Sequence, residues 1–277
     1  MNRKEIASLI VKRIEEISIK QLQNQYRDSS KINHIVIDDL LPSEIALKLD
    51  DHFPEKQNLS LLSGPQERKY VAVDWESKSK LVEECLYAFQ DERIITIISK
   101  VCQIDDLYGD PELYAGGLSY MNKGCFLNPH IDNSHDRLRE KYRRLNLLYY
   151  VSTSLSKISD GGDLLLFPDG LKFDEIKIPA KFNRLVIMRT DNKSIHAVNP
   201  IQSSIAIRKC ISNYYFSLSS PLSHDYYHST SFRGFRGEKY KDLYLRLNAK
   251  LRTSIKSISG NLFGRFISTG HHRKIKK

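Results

Sequence analysis

The periodicity of the chain changes at about residue 112, and this constrains the fold more than any other feature of the sequence. Upstream, Ile6, Ile10, Ile14 and Ile17 recur at spacings of three and four, which predicts an amphipathic helix over residues 3–23 that ends in polar Gln21 to Lys31. Further helices are predicted over 44–53, with Ile45, Leu47 and Leu49 packing inward and Pro54 as its stop, and over 79–90 and 92–101. His34 to Ile37 is a short extended run between them. Downstream, apolar, aromatic and β-branched runs are short, at 113–121, 143–152, 163–168, 184–190 and 205–217. Turn signals separate them, among them Gly124, Asn128-Pro129, Asp160-Gly161-Gly162, Pro168-Asp169-Gly170 and Asn199-Pro200. This pattern predicts an antiparallel sandwich or barrel of about eight strands with a helical layer ahead of it.

After Phe216 the pattern changes again. Glu238 to Ile258 puts Tyr240, Leu243, Tyr244, Leu247, Leu251, Ile255 and Ile258 on one helical stripe, with Lys241, Arg246, Lys250, Arg252 and Lys256 elsewhere around the helix. Charge marks the same region. The formal net charge is +10, and residues 218–277 hold 13 Lys and Arg against only Asp225, Glu238 and Asp242, so the excess lies wholly there. The chain therefore divides into a helical layer with a candidate substrate lid (1–111), a β-rich core (112–217) and a basic extension (218–277). The extension is expected to be a solvated brace, or to contact an anionic partner. Its stripe is expected to close against the body of the protein or another subunit.

The longest apolar stretch, Leu147 to Val151, is far short of the roughly 20 residues of a membrane span. No secretory signal is expected at the N-terminus, where Lys12 and Arg13 follow Ile6 to Val11 with no small-residue cleavage site. Cys85, Cys102, Cys125 and Cys210 are widely spaced, which argues against a disulfide framework and a thiolate zinc site. A cytoplasmic location is expected. Residues 55–79, with Tyr70 and the single tryptophan Trp75, are expected to be a loop that covers the mouth of the β-rich region or pins the helical layer to it.

His130-Ile131-Asp132 carries the candidate chemistry. On an extended chain, residues two apart project from the same face. One further imidazole, for which His196 is the candidate, would complete the two-histidine, one-carboxylate set that holds non-haem Fe(II) with open positions. The same tripeptide also suits a surface turn closed by Asp132. Arg208 opens a run that otherwise reads as a core strand, with Cys210, Ser212, Tyr214 and Phe216 on its face. A guanidinium pointing into a barrel must meet an anion, either a bound carboxylate, for which its fork is suited, or a carboxylate of the protein. His135 and Asp136 are assigned to a solvated, charged loop over 133–144, and His271-His272 to the exposed tail.

Taken with Tyr120, Tyr149-Tyr150, Gly161-Gly162-Asp163-Leu164, Leu165 to Pro168 and Pro179 to Val186, in this order and spacing, residues 113–217 resemble the catalytic core of the 2-oxoglutarate- and Fe(II)-dependent dioxygenases. The prolyl 4-hydroxylase-like branch is the most similar. The resemblance implies a double-stranded β-helix, the cupin-like jelly roll. It implies Fe(II) on His130, Asp132 and His196, with Arg208 on the distal carboxylate of 2-oxoglutarate. It further implies Tyr149 as a hydrogen-bond donor to that carboxylate and Tyr120 near the cosubstrate. Many relatives have Ser or Thr where this chain has Cys210, and Ser212 is expected to compensate. Because Asp132 is present, the halide-binding variant of the site is disfavoured.

The implied activity is oxidation of an unactivated C–H bond to the alcohol with Fe(II), 2-oxoglutarate and O2, with ascorbate as a stimulant and release of succinate and CO2. The acceptor is a protein side chain or a small molecule, sugar or lipid precursor, since a fold does not fix a substrate. The competing expectation is a catalytically silent barrel that binds an anionic partner through its basic tail.

Overall fold

In the computed structural model, residues 1–72, 79–114, 116–155 and 160–259 are described, side chains of residues 253 and 255–259 excepted. Trp75, His271 and His272 lie outside this set, as do the side chains of Ile255 and Ile258. No helix among the described residues is long and apolar enough to cross a membrane.

The predicted first helix is two helices, α1 (Arg3–Ile17) and α2 (Ile19–Asp28). Asn2 and Glu5 form a reciprocal capping box at the start of α1. Ser18 adopts the left-handed value φ 75° and separates the two. With the break between them, Ile6, Ile10 and Ile14 of α1 and Leu22 and Tyr26 of α2 all bury into the same core cluster. Strand β1 (His34–Ile37) follows, then α3 (Ser43–Asp51), α4 (Lys80–Ala88) and α5 (Glu92–Cys102), close to the predicted ranges. Leu47 is exposed, and Ile45, Ala46 and Leu49 form the inward face of α3.

Residues 55–79 are not a simple loop. They contain the hairpin β2 (Ser60–Ser63) and β3 (Glu67–Val71), so Tyr70 sits on a strand. The β-rich region comprises β4 (Leu107–Tyr108), β5 (Gly117–Met121), β6 (Phe126–Ile131), β7 (Tyr142–Tyr150), β8 (Leu164–Leu166), β9 (Ile176–Ile178), β10 (Arg184–Arg189), β11 (His196–Val198) and β12 (Arg208–Ser217). Strand β13 (Ser231–Phe232) and helix α6 (Lys239–Ser259) complete the described chain.

All pairings are antiparallel, in the order β1-β10-β7-β12-β5-β3-β6-β11-β8-β9. Strand β3 bonds to both β5 and β6, and so joins one layer, β1-β10-β7-β12-β5, to the other, β6-β11-β8-β9. This is the antiparallel two-layer arrangement expected of a jelly roll. Alternation sorts the first layer's side chains. Leu145, Leu147, Tyr149, Leu185, Ile187, Ile211 and Tyr215 face the five N-terminal helices, whereas Leu148, Tyr150, Val186, Met188 and Cys210 face the interior between layers.

Two expectations about the extension change. Its outermost strand, β13, pairs with β6 and places Phe232 opposite His130, so this segment is part of the wall of the barrel. On α6 the buried residues are Leu245 and Ala249, while Tyr240, Leu243, Tyr244, Leu247 and Leu251 are exposed. The predicted stripe exists, but it faces away from the body. A brace needs only a small footprint: α6 packs on β13, and Leu245 and Ala249 are its buried apolar residues.

Candidate active site

Strands β6 and β11 pair with His196 directly opposite His130, which brings their rings to a centroid separation of 4.2 Å. Asp132 follows β6 by one residue. One ligand-type atom from each of His130, Asp132 and His196 lies within 4.8 Å of the others. All three are nearly inaccessible, at 4, 9 and 3% exposure.

Backbone carbonyls set the imidazole tautomers. His130 Nδ1 donates to Asn128 O at 2.9 Å and His196 Nδ1 donates to Ser194 O at 3.0 Å. A carbonyl can only accept, so each Nε2 is left to face the carboxylate, at 3.6 and 3.7 Å from Asp132 oxygens. Burial lowers the pKa of His196 to about 4, reinforced by His130, so its imidazole is neutral at physiological pH. Burial opposes ionisation of Asp132, but the charge of Arg143 outweighs it and holds the carboxyl far below the usual range. Asp132 Oδ2 is buried without a hydrogen-bond partner. Two imidazoles with Nε2 turned inward, one anionic carboxylate and an oxygen without a hydrogen-bond partner in one buried spot form a donor set that fits a divalent first-row metal such as Fe(II).

Arg208, 3% exposed, opens β12 opposite Met121 of β5. Its Nη1 lies 3.7 Å from Met121 Sδ, Nη2 donates to the Tyr150 hydroxyl at 3.3 Å, and Nε has no partner. Among the described residues it forms no ion pair within 4.0 Å. The protein-carboxylate explanation for this buried cation is therefore not met, and the guanidinium is left for an anion from outside.

Cys210, Ser212 and Tyr214 follow Arg208 on the same face and line a cleft of about 660 Å³ that also reaches His130, Asp132 and His196. Ser212 Oγ donates to Gly117 O at 3.1 Å. Burial raises the Cys210 thiol to about 11, so it is an uncharged wall of the cleft.

The two tyrosines assigned by resemblance are elsewhere. Tyr149 pairs with Ile211 and points into the helical layer, where its hydroxyl donates to Asn183 Oδ1 at 2.8 Å. Tyr120 is opposite Lys209 rather than Arg208, and its ring meets Tyr70 edge-on at 6.1 Å outside the cleft. In both cases the period-two alternation of a strand puts the side chain on the wrong face. Tyr150 takes the place beside Arg208. It is fully buried, and burial, partly offset by the Arg208 charge, lifts its phenol to about 12, so it remains a donor.

Sequence reasoning also missed Arg143, 3% exposed, whose Nη1 lies 3.5 Å from Asp132 Oδ2 and whose Cζ lies 4.1 Å from the Tyr214 ring centroid. A basic residue inside the apolar strand 142–150 was the available signal. Phe232 stacks on His130 at 5.0 Å, with no signal in the sequence to pair them. His135 is not solvated. It is buried beside Tyr142, with Ser134 Oγ at 2.8 Å from its Nδ1.

Residues 116–217 match the sequence model of the 2OG-Fe(II) oxygenase superfamily. No curated protein sequence matches the chain. Many solved structures share the fold, three prolyl hydroxylases among them. A Pseudomonas putida prolyl-4-hydroxylase aligns at 15% identity with TM-score 0.54 over 71% of this chain and 98% of its own. A Trichoplax adhaerens prolyl hydroxylase, solved with a hypoxia inducible factor oxygen degradation domain peptide, aligns at 17% identity with TM-score 0.50 over 77% and 91%. A Phytophthora capsici prolyl 4-hydroxylase aligns at 19% identity with TM-score 0.50 over 93% and 79%. At these identities the likeness is one of fold.

Proposed function

We propose that the 2OG-Fe(II) oxygenase core of this chain, residues 116–217, hydroxylates an unactivated C–H bond of its substrate, with His130, Asp132 and His196 as the iron ligands and Arg208 as the anchor of 2-oxoglutarate. The observation that carries this reading is the meeting, in one cleft, of a buried donor set with an orphaned carboxylate oxygen and a buried arginine with no ion-pair partner among the described residues.

When bound, Fe(II) would let O2 act as the oxidant, with two electrons coming from 2-oxoglutarate as it is oxidised to succinate and CO2 and two from the substrate C–H bond. The residues do the rest. The carbonyls of Asn128 and Ser194 hold the two rings with Nε2 inward, and Arg143 keeps Asp132 anionic. Arg208 would hold the distal carboxylate with its planar fork, and the Tyr150 hydroxyl at its side would add a neutral donor. Leu148, Leu164 and Cys210 line the cleft with apolar surface that would shield a bound dicarboxylate from water. Ser212 lies further along the same face, with an acceptor lone pair left over from its bond to Gly117.

The acceptor is a protein side chain or a small molecule, and the fold of prolyl hydroxylases favours a peptide by analogy alone. We place the enzyme in the cytoplasm, on the strength of four buried, free cysteines. No observation favours the silent-barrel reading.

The test is succinate formation from 2-oxoglutarate with Fe(II) and ascorbate, in wild type and in His130→Ala, Asp132→Ala and Arg208→Ala. Turnover is expected in wild type and lost in each variant. A folded wild type that binds neither iron nor 2-oxoglutarate refutes the reading.

A further inference from the structure

The outward face of α6 is an apolar surface that the site does not use. Tyr240, Leu243, Tyr244, Leu247 and Leu251 are 92, 56, 53, 60 and 62% exposed, while Leu245 and Ala249 on the opposite side are 1 and 5% exposed. At 3.6 residues per turn the five exposed residues fall within an arc of roughly 100° and run about 17 Å along the axis. Solvated helices place polar residues on such a face, so this one is built to be covered.

The charges beside the stripe identify what covers it. Lys239, Arg246 and Lys250 are exposed and, by the same geometry, form a row along one flank. No carboxylate accompanies them on that side. Asp242 is engaged by Arg233, with Nε at 2.7 Å and Nη2 at 3.1 Å, and Glu238 accepts from the Phe235 amide and from Lys241. From Leu243 to the last residue the sequence contains nine Lys and Arg and no Asp or Glu. A second copy of this face would bring cations to cations, with no acid to pair them. The stripe is also a convex ridge, as the exposure of Tyr240 shows, and a ridge enters a deformable medium without a preformed groove.

We propose that the outward face of α6 is a docking surface for an anionic lipid bilayer. The helix lies in the interfacial plane, with its leucines in the acyl boundary, its tyrosines at headgroup depth and its cations on lipid phosphate and carboxylate groups. The surface adjoins the active-site cleft. From the inner side of α6, Arg252 Nη2 donates to Thr230 O at 3.4 Å, and Arg252, Thr230 and Phe232 all line the cleft. Docking through α6 therefore sets the cleft beside the bilayer, where a membrane-borne acceptor would be delivered. The proposal does not depend on the iron or 2-oxoglutarate assignments, and it is tested without turnover.

The experiment is co-sedimentation of the full chain with phosphatidylcholine vesicles and with the same vesicles containing phosphatidylglycerol, at low and raised salt. Wild type is compared with Leu243→Ser/Leu247→Ser and with Lys239→Gln/Arg246→Gln/Lys250→Gln, and thermal unfolding and light scattering report folding and mass. These side chains are exposed, so both variants are expected to unfold at the wild-type temperature. Wild type is expected to pellet with the anionic vesicles, less so at raised salt. The leucine variant is expected to lose about tenfold or more of that partitioning, and the charge variant to lose its preference for anionic over neutral vesicles. The proposal is overturned if wild type stays in solution with anionic vesicles, or if the leucine variant pellets as wild type does, which would assign binding to the basic tail. It is equally overturned if scattering shows a dimer that the leucine variant dissolves without any vesicle binding, which would make a second copy the occupant.

Discussion

Replacing Tyr150 and Tyr149 separately with Phe applies one chemical change, loss of a hydroxyl, to adjacent residues on opposite faces of β7. In Tyr150→Phe the ring remains beneath Arg208, whose Cζ is 4.8 Å from its centroid, so packing is preserved. What goes is the hydroxyl 3.3 Å from Nη2. The hydroxyl would also donate to the carboxylate held by Arg208; a hydrogen bond to a charged group contributes about 1.5–3 kcal/mol, and the 3.3 Å spacing from Nη2 puts this one below that range, at about 1–1.5 kcal/mol. That corresponds to a rise of about fivefold to tenfold in the KM for 2-oxoglutarate. In Tyr149→Phe the lost bond is to Asn183 Oδ1 at 2.8 Å, an oxygen that also accepts from the Leu41 amide at 3.1 Å. Asn183 holds a left-handed φ of 60° and donates to Leu41 O at 2.7 Å, so the bond steadies the turn before β10 rather than the cleft. Its loss is expected to cost about 1 kcal/mol of stability and leave the KM for 2-oxoglutarate unchanged. Succinate release against 2-oxoglutarate concentration, with thermal unfolding alongside, reads both. If Tyr149→Phe raises the cosubstrate KM and Tyr150→Phe does not, the assignment of faces is wrong.

Three other outcomes are expected. Removing Arg143 as Arg143→Met leaves Asp132 without its nearest cation and is expected to destabilise the metal-free protein by about 2–4 kcal/mol, part of which Co(II) restores, giving a larger thermal shift on Co(II) addition than in wild type. Equal shifts would show that Arg143 does not carry the charge balance of the site. Glu84 binds Arg3 through the backbone amide at 2.6 Å and Nη2 at 2.9 Å, and the Arg3 hydrogen bond, against burial, lowers its pKa from 4.5 to about 2. Its folded-state pKa is depressed, so the contribution is complete above pH 4.5 and fades as pH falls towards about 2. With Arg3 partly exposed, Glu84→Gln is expected to cost about 1–2 kcal/mol at pH 7, and urea denaturation should show that difference shrinking below pH 4.5; a constant difference would refute it. Gly161 has φ 74°, and a Cβ there would lie 2.2 Å from the Pro200 carbonyl oxygen, so Gly161→Ala is expected to cost at least about 2 kcal/mol by urea denaturation. A neutral effect would mean that the turn before β8 shifts freely.

The site was legible where side chains two apart on one strand had to act together. His130 with Asp132, and Arg208 with Cys210 and Ser212, share faces in the sequence and in the fold. Strands β6 and β11, which bring the histidines together, were not legible. Pro129 interrupts β6, but it lacks only a donor, and its carbonyl accepts from Arg233 N at 2.7 Å, so the strand continues. Strand β11 is three residues long and has no period to read. The choice between Tyr149 and Tyr150 was beyond a single strand's pattern. Alternation says that they face opposite ways, but only the register that sets Cys210 against Tyr150 says which one meets Arg208. The hairpin β2–β3 was hidden by its polarity. Glu67, Lys69 and Val71 of β3 line the cleft, so the strand carries charge for a reason that composition assigns to loops.

The same limit explains α6. A period of 3.6 establishes that Tyr240, Leu243, Tyr244, Leu247 and Leu251 share a face, and the default that an apolar stripe turns inward then assigns the opposite face to solvent. That default holds when the helix has a core to cover, and here α6 packs on the two-residue β13 and buries only Leu245 and Ala249 of its apolar residues with described side chains. Charge gives the independent check. Were the stripe the inner face, Lys241, Asp242 and Arg252 would turn to solvent. In the structure Lys241 reaches Asn128 Oδ1, Asp242 holds Arg233, and Arg252 reaches Thr230 O. Three polar anchors on the side of Leu245 and Ala249 fix the helix with its apolar face outward. The sign of an amphipathic helix is thus set by where its polar residues find partners, and a basic helix whose polar partners lie inside presents its leucines outside.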